Sequence, residues 1–460
     1  MTGRRVLLAT VLLAVAGVLA SLGLGLPETS APAPGPSPAL ATPLWSLRRY
    51  PLPITTAVKD AVEQRTVTDT LTRYVARFER SCFVVRRGGE VIAASEPDAA
   101  LLPASTEKLL TATAALDILG PEFRYTTNVV AAGAPVGGVV ERIWMVGAGD
   151  PSLSTEPYAD RGVSTSMEAL ADSVVASGTR RVAAGIAVDD FRYDGERALP
   201  SWPGTYITKF ETGPLGALTA NHGIPLVNGK PVTVADPGLY AAAELTALLR
   251  ARGVVIGGEP TRSAAPAGAA TMGSVTSVPL RTLIAFTLQI SDNLAAELLT
   301  KELGVRTVGA GTTAAGTAAT MAVMSRLGIP TAGVVMVDGS GLDRGNRLTC
   351  RALAAVAARG REPGPRSLAG LLPAAGTGTS VQGRVVAKGG YLTDVIGLAG
   401  LLDGDRDYEF AFLANSRLSP RPIDDINGFA EALATVPTFD ASSLVAKPDP
   451  PRRPVAALRS

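Results

Sequence analysis

The chain has 460 residues, 46% of them hydrophobic and 18% charged, which excludes a disordered or fibrous polymer and leaves room for two or three domains with sizeable cores. Lys and Arg number 43 against 41 Asp and Glu, so no global basic surface points to nucleic acid. With one histidine, His222, and two cysteines, Cys82 and Cys350, a zinc site is short of ligands, and no metal or organic cofactor is expected.

Arg4 and Arg5 precede an uncharged, mostly apolar run over 6–26, long enough for a bilayer span of about 20 residues. Pro27, Pro32, Pro34, Pro36 and Pro38 follow. This order predicts an extracytoplasmic protein, with 1–43 as a signal peptide or uncleaved membrane anchor plus a Pro-rich linker. Outside the cytoplasm Cys82 and Cys350 are compatible with a disulfide or with two free thiols. Residues 82–85 and 91–94 read as short strands around a glycine turn, and the Ala/Leu-rich stretch 105–119 as a helix. The middle, 124–269, is rich in Gly and in short β-like runs such as 142–146. A helical stretch over 279–304 is interrupted by Ser291-Asp292-Asn293, three residues that favour caps and turns, which predicts two helices with a loop between them. A helix over 349–358, a Gly-rich segment over 376–379 and strands over 385–388 and 409–413 follow. The tail, 441–460, reads as disordered.

Ser105 and Lys108 are three residues apart at the start of a helix and share one face, so the amine can reach the hydroxyl. The helix start favours a developing alkoxide or oxyanion. Lysine is a base only when neutral, so its ordinary pKa of ~10.4 must fall through burial or a second cation. Taken alone, the pair reads more simply as a capping serine and a solvated lysine. Two further segments change that reading: Ser291-Asp292-Asn293 and Lys388-Gly389-Gly390. A second hydroxyl can pass a proton to a leaving amine, and an Asn amide can hold a substrate amide. A strand lysine can attract a carboxylate and depress its neighbour's pKa. Asp150 and Asp338, each beside glycine, read as Asx turns. His222 reads as structural, and Trp202 and Tyr391 as packing or pocket walls.

In this order the three motifs resemble those of the class C low-molecular-mass penicillin-binding proteins, D-alanyl-D-alanine carboxypeptidases and endopeptidases of bacterial cell walls. Further segments carry the same resemblance: Leu102-Pro103-Ala104-Ser105-Thr106-Glu107-Lys108, Gly149-Asp150-Pro151, Asp338-Gly339-Ser340-Gly341-Leu342 and Leu372-Pro373-Ala374-Ala375-Gly376. The resemblance implies an α/β (α+β) fold. It is a β-lactamase/transpeptidase-like domain with an antiparallel sheet flanked by helices, formed by 44–123 and 270–440 and split by an inserted β-rich domain at 124–269.

By the same resemblance Ser105 would be the acylated nucleophile, Lys108 its general base and Ser291 the proton relay. Asn293, Lys388, Gly389 and Gly390 would bind substrate, and the backbone N–H groups of Ser105 and Tyr391 would form the oxyanion hole. The implied activity is a serine DD-carboxypeptidase, with DD-endopeptidase cleavage left open beside it. Its partners would be peptidoglycan stem peptides and β-lactams. Two positions depart from the family pattern. Gly389 stands where a threonine is usual, and Tyr206, in Ser201-Trp202-Pro203-Gly204-Thr205-Tyr206, stands where many relatives carry an aspartate associated with a diaminopimelate amino group. These departures keep a second reading open, a weak or inactive peptidoglycan-binding protein on the same scaffold. A β-lactamase is the third, and the long gap between Lys108 and Ser291 argues against it.

Overall fold

The structure is a computed structural model that describes residues 51–436, apart from 160–161 and 405–406. The apolar run at 6–26, the Pro-rich linker and the tail at 441–460 lie outside the described residues. The chain divides into two units, Met1–Ala57 and Val58–Ser460. Among the described residues no helix is long and apolar enough to cross a membrane.

Strand alternation builds the main sheet. Val385–Leu392, Val395–Leu402, Tyr408–Asn415, Arg80–Arg87 and Glu90–Ser95 pair in that spatial order, each with its neighbour antiparallel. Cys82 and Val84 face one way, with Ala411 and Leu413, onto helices 108–118, 280–290, 293–308 and 350–358. Phe83 and Val85 face the other way, with Phe410 and Phe412, onto Val67, Leu71 and Val75 of the helix Pro51–Val75 and onto the helix Pro422–Ala434. The sheet is therefore buried on both faces between helical layers. Val395–Leu402 is buried at every position. Its unbroken apolar run carries no alternation, which is why the sequence pattern did not single it out. Cys82 and Cys350 form a disulfide with a Cα–Cα distance of 5.9 Å, so the joined state holds of the two the sequence left open. It ties the sheet to the helix Cys350–Ala358, which starts on the Thr349 cap.

A second five-stranded sheet orders Thr261–Arg262, Ile186–Asp189, Ile143–Val146, Thr126–Ala131 and Ala270–Thr276. It has its own apolar core, including Val129, Met145, Leu170, Val188 and Leu245. Helices also lie in this stretch, the longest being Met167–Ala176 and Pro237–Ala251. Arg192 forks onto Glu302 at 2.8 and 2.6 Å, and Lys301 donates to Asp194 at 2.6 Å. These pairs fasten the segment after Ile186–Asp189 to the helix Asn293–Val308.

The break between the two helices falls where capping chemistry predicts. Ser291 adopts a left-handed φ of 61° and ends Leu280–Ile290, while the Asp292 carboxylate accepts the Ala295 N–H at 3.0 Å and starts Asn293–Val308.

Candidate active site

Ser105 lies in a short 3₁₀ turn, Ala104–Glu107, that runs into the helix Lys108–Ile118. Ala104 holds a left-handed φ of 46° immediately before it, a conformation that costs a non-glycine residue energy and gives the serine an abrupt entry. The strand carrying Lys388 presses on this turn. A side chain at Gly390 would stand 2.8 Å from the Pro103 carbonyl and 2.9 Å from the Ser105 nitrogen, so glycine is what allows the strand its close approach. A side chain at Gly389 would meet nothing within 4 Å.

Lys108 is buried, and its Nζ lies 2.9 Å from Ser105 Oγ, 2.6 Å from Asn293 Oδ1 and 2.7 Å from the Ser340 carbonyl. The last two partners only accept. A neutral amine, with two N–H bonds and one lone pair, satisfies them both and keeps the lone pair for the Ser105 hydroxyl. Burial lowers the Lys108 pKa to about 8 and outweighs the attraction of Asp338, Glu297, Asp292 and Glu107. Three of those acids are themselves shifted, Asp338 upward by burial. Burial, then repulsion from Asp338 and Glu297, pushes Glu107 well above the carboxylate range, and burial with Asp338 pushes Glu297 up. Their neutral forms add little negative field at the lysine.

The Lys388 Nζ donates to Ser291 Oγ at 3.0 Å and to the Gly389 carbonyl at 2.7 Å. Its pKa is lowered to about 7 by burial, then by repulsion from Lys108. The depression expected at Lys108 from a second amine thus comes mainly from burial, and the repulsion registers at Lys388. Asn293 is engaged on both sides, since its Nδ2 donates to the Glu211 carbonyl at 2.7 Å while its Oδ1 takes Lys108.

Val385–Leu392 is an edge strand. Ala387 N–H donates outward to the Pro373 carbonyl, and the Val385 carbonyl accepts outward from Ala375. The two-residue period then turns the backbone groups of Gly389 and Tyr391 to the same open side. Tyr391 itself is 57% exposed, so it stands on the rim. Trp202, in contrast, is buried and donates from Nε1 to Asp338 at 3.0 Å.

The D-Ala-D-Ala carboxypeptidase 3 (S13) family profile matches residues 80–231 and 227–435. The chain belongs to this family. Its activity is that of the S13 enzymes, serine-type D-Ala-D-Ala carboxypeptidase, which acts on peptidoglycan and places the chain in the cell envelope. Among S13-like relatives, a D-alanyl-D-alanine carboxypeptidase of Actinomadura sp. (strain R39) is 28% identical, over 75% of this chain and 79% of its own. A carboxypeptidase of Mycobacterium tuberculosis is 33% identical, over 69% of this chain and 72% of its own. Among solved structures, penicillin-binding protein 4 of Haemophilus influenzae has the same fold at a TM-score of 0.69 and 19% identity, covering 79% of this chain and 98% of that one.

Sequence reading missed several residues of this S13 site. Glu297 follows Asn293 by one helical turn, and its Oε1 accepts from Gly339 N–H at 2.9 Å and Ser340 N–H at 2.7 Å. The i to i+4 spacing was the available signal. Ser340 contributes a backbone carbonyl, and Glu211 likewise, so neither has a side-chain signature. Asp338 does form the expected turn, accepting from Gly341 N–H at 2.8 Å, but it also accepts from Asp343 N–H, Asn346 Nδ2 and Trp202 Nε1. Asp150 accepts from Ser152 N–H at 2.8 Å, a simple Asx turn. His222 pairs with Asp292, Nε2 to Oδ2 at 3.4 Å, and so buttresses the loop of the second motif.

Proposed function

We propose that this carboxypeptidase cleaves the terminal D-Ala-D-Ala bond of peptidoglycan stem peptides through an acyl-enzyme on Ser105. The Ser105 hydroxyl gives its proton to Lys108 Nζ as Oγ bonds to the carbonyl carbon. The oxyanion is met by the N–H groups of Ser105 and Tyr391, the latter supported by its orientation on the open strand edge. As the C–N bond breaks, the proton passes through Ser291 Oγ to the leaving amine, and D-alanine departs. Water then attacks the ester, with Lys108 again taking the proton. Lys388 attracts the substrate carboxylate, and the second N–H of the Asn293 amide donates to a substrate carbonyl. Gly389 leaves the carboxylate without a threonine hydroxyl, and Gly390 permits the strand's approach. β-Lactams would acylate the same oxygen, and the same cleft would accept the cross-link cut by a DD-endopeptidase.

The observation that carries this reading is the 2.9 Å contact between Lys108 Nζ and Ser105 Oγ, with acceptor-only partners on the other sides of the amine. In support of the domain reading, 124–269 contributes most of an apolar core separate from that of the main sheet, as an insertion between 44–123 and 270–440 would. The basic-then-apolar start supports export by a signal peptide or an anchor. No observation favours a non-catalytic wall-binding role.

The test is D-alanine release from a stem pentapeptide, with Ser105→Ala as the control, alongside labelling by a tagged penicillin. Release and labelling that both vanish in Ser105→Ala are expected. A wild type that neither releases D-alanine nor takes the label refutes the mechanism and favours the binding role, while rapid turnover of penicillin points to a β-lactamase. Cleavage of a cross-linked muropeptide dimer tests the endopeptidase activity.

A further inference from the structure

Lys108 has two partners besides the nucleophile, and one stretch of chain stands behind both. Asn293 Oδ1, the first, belongs to an amide whose Nδ2 is tied to the Glu211 carbonyl at 2.7 Å. The Ser340 carbonyl, the second, shares its peptide with the Gly341 N–H, which donates to Asp338 Oδ1 at 2.8 Å. The other oxygen of Asp338 takes the Trp202 Nε1–H at 3.0 Å. The same loop is gripped twice more. Ser201 Oγ donates to Asp343, and Tyr206 OH donates to the Leu342 carbonyl at 3.2 Å. Within the stretch, Glu211 N–H donates to the Tyr206 carbonyl at 2.9 Å, which ties its end to its middle. Leu199, Trp202, Leu294, Leu298 and Leu342 pack as one apolar cluster beneath it.

We propose that 201–211 is a positioning brace for Lys108, holding both acceptors that aim the amine's lone pair at Ser105. The inference rests on Lys108 as the general base and adds what keeps that base in aim. A neutral amine turns freely about its last bond unless its two N–H groups are directed. With Ser340 O and Asn293 Oδ1 fixed, the lone pair has one direction left, toward the Ser105 hydroxyl. Displacing either acceptor swings the lone pair away, and misplacement on the scale of 1 Å can cost about 100-fold in rate. The middle of the chain, distant in sequence from every catalytic motif, then contributes to the chemical step itself.

The test is the rate of Ser105 acylation by a labelled penicillin, measured with its binding constant between pH 6 and 9 on the full chain. Trp202→Phe keeps an aromatic ring and removes the indole N–H. Tyr206→Phe removes only the hydroxyl and serves as a second, milder variant should the first fold poorly. Trp144→Phe is the matched control, since it deletes an indole N–H that reaches Ser263 Oγ at 3.0 Å on the second sheet. The expected result is acylation about 10- to 100-fold slower in Trp202→Phe, with the binding constant unchanged. The acid limb moves to lower pH, because loss of a donor raises the Asp338 pKa, and a more readily protonated Asp338 holds the lysine's proton less tightly. A slowing of at least about threefold is expected in Tyr206→Phe, and a wild-type rate and pH profile in Trp144→Phe. Wild-type rates and pH profiles in both Trp202→Phe and Tyr206→Phe would overturn the brace alone, whereas a wild type that takes no label on Ser105 overturns the reading of the site along with it.

Discussion

Lys108 and Lys301 are both buried, on helices that pack against each other, yet their surroundings differ in kind. Lys301 meets the Asp194 carboxylate at 2.6 Å, and that pair holds one segment of the chain against the helix Asn293–Val308. Lys108 meets a hydroxyl, an amide oxygen and a peptide carbonyl. Acids lie close to it, but burial pushes Glu107 and Glu297 toward their neutral forms. A direct carboxylate partner favours the charged amine, whereas neutral acceptors in a buried site let desolvation draw the proton off. The company a buried lysine keeps therefore decides whether it serves as a fastening or as a base.

The sharpest way to break this contrast is to remove each lysine in turn. Lys108→Met is expected to lower the acylation rate by about 10²- to 10⁴-fold, read by penicillin labelling, with the fold intact by circular dichroism. Lys301→Met leaves Asp194 unpaired, and its side chain is 25% exposed. The expected loss is about 3 kcal/mol of stability in urea unfolding, with acylation by the folded fraction unchanged. Equal rate losses in both variants would erase the distinction.

The disulfide offers a comparison with a fastening that involves no charge. Replacing Cys82 and Cys350 with serine opens a link spanning 268 residues and should cost about 2–5 kcal/mol, measured by denaturant unfolding under non-reducing conditions, again with little change in acylation per folded molecule. At the second active-site lysine, Gly389→Thr fits the open space beside the strand. It should tighten binding of a substrate ending in a free carboxylate by about 1.5 kcal/mol, seen as a roughly tenfold lower KM, without helping a substrate whose carboxylate is capped as an amide.

The pH dependence is the most direct reading of the base. Below about pH 8 the neutral fraction of Lys108 falls, so acylation should drop about tenfold per pH unit and level off above that point. A flat profile from pH 6 to 9 would mean that another group takes the proton from Ser105.

The site was unevenly legible in the sequence. Ser105, Lys108, Ser291, Asn293 and Lys388, the proposed catalytic set, could be singled out because their proposed chemistry lies in side chains and three short motifs hold them at fixed spacing. The paired helices on either side of Ser291-Asp292 were equally clear, since capping residues act locally. Ser340 and Glu211 were not, because they act through carbonyl oxygens that every residue possesses. The helices Thr313–Arg326 and Pro422–Ala434 were also passed over.

From the amino-acid order alone came the family, the proposed nucleophile with a handful of candidate side chains around it, and the need for a lysine that has lost its proton. What it could not supply was the environment that makes such a lysine possible. Burial, the two acceptors aimed at its Nζ and the neutralising of nearby acids depend on segments separated by as many as 232 positions. Desolvation and hydrogen-bond direction are properties of atoms brought together in space, and only the folded chain brings these together.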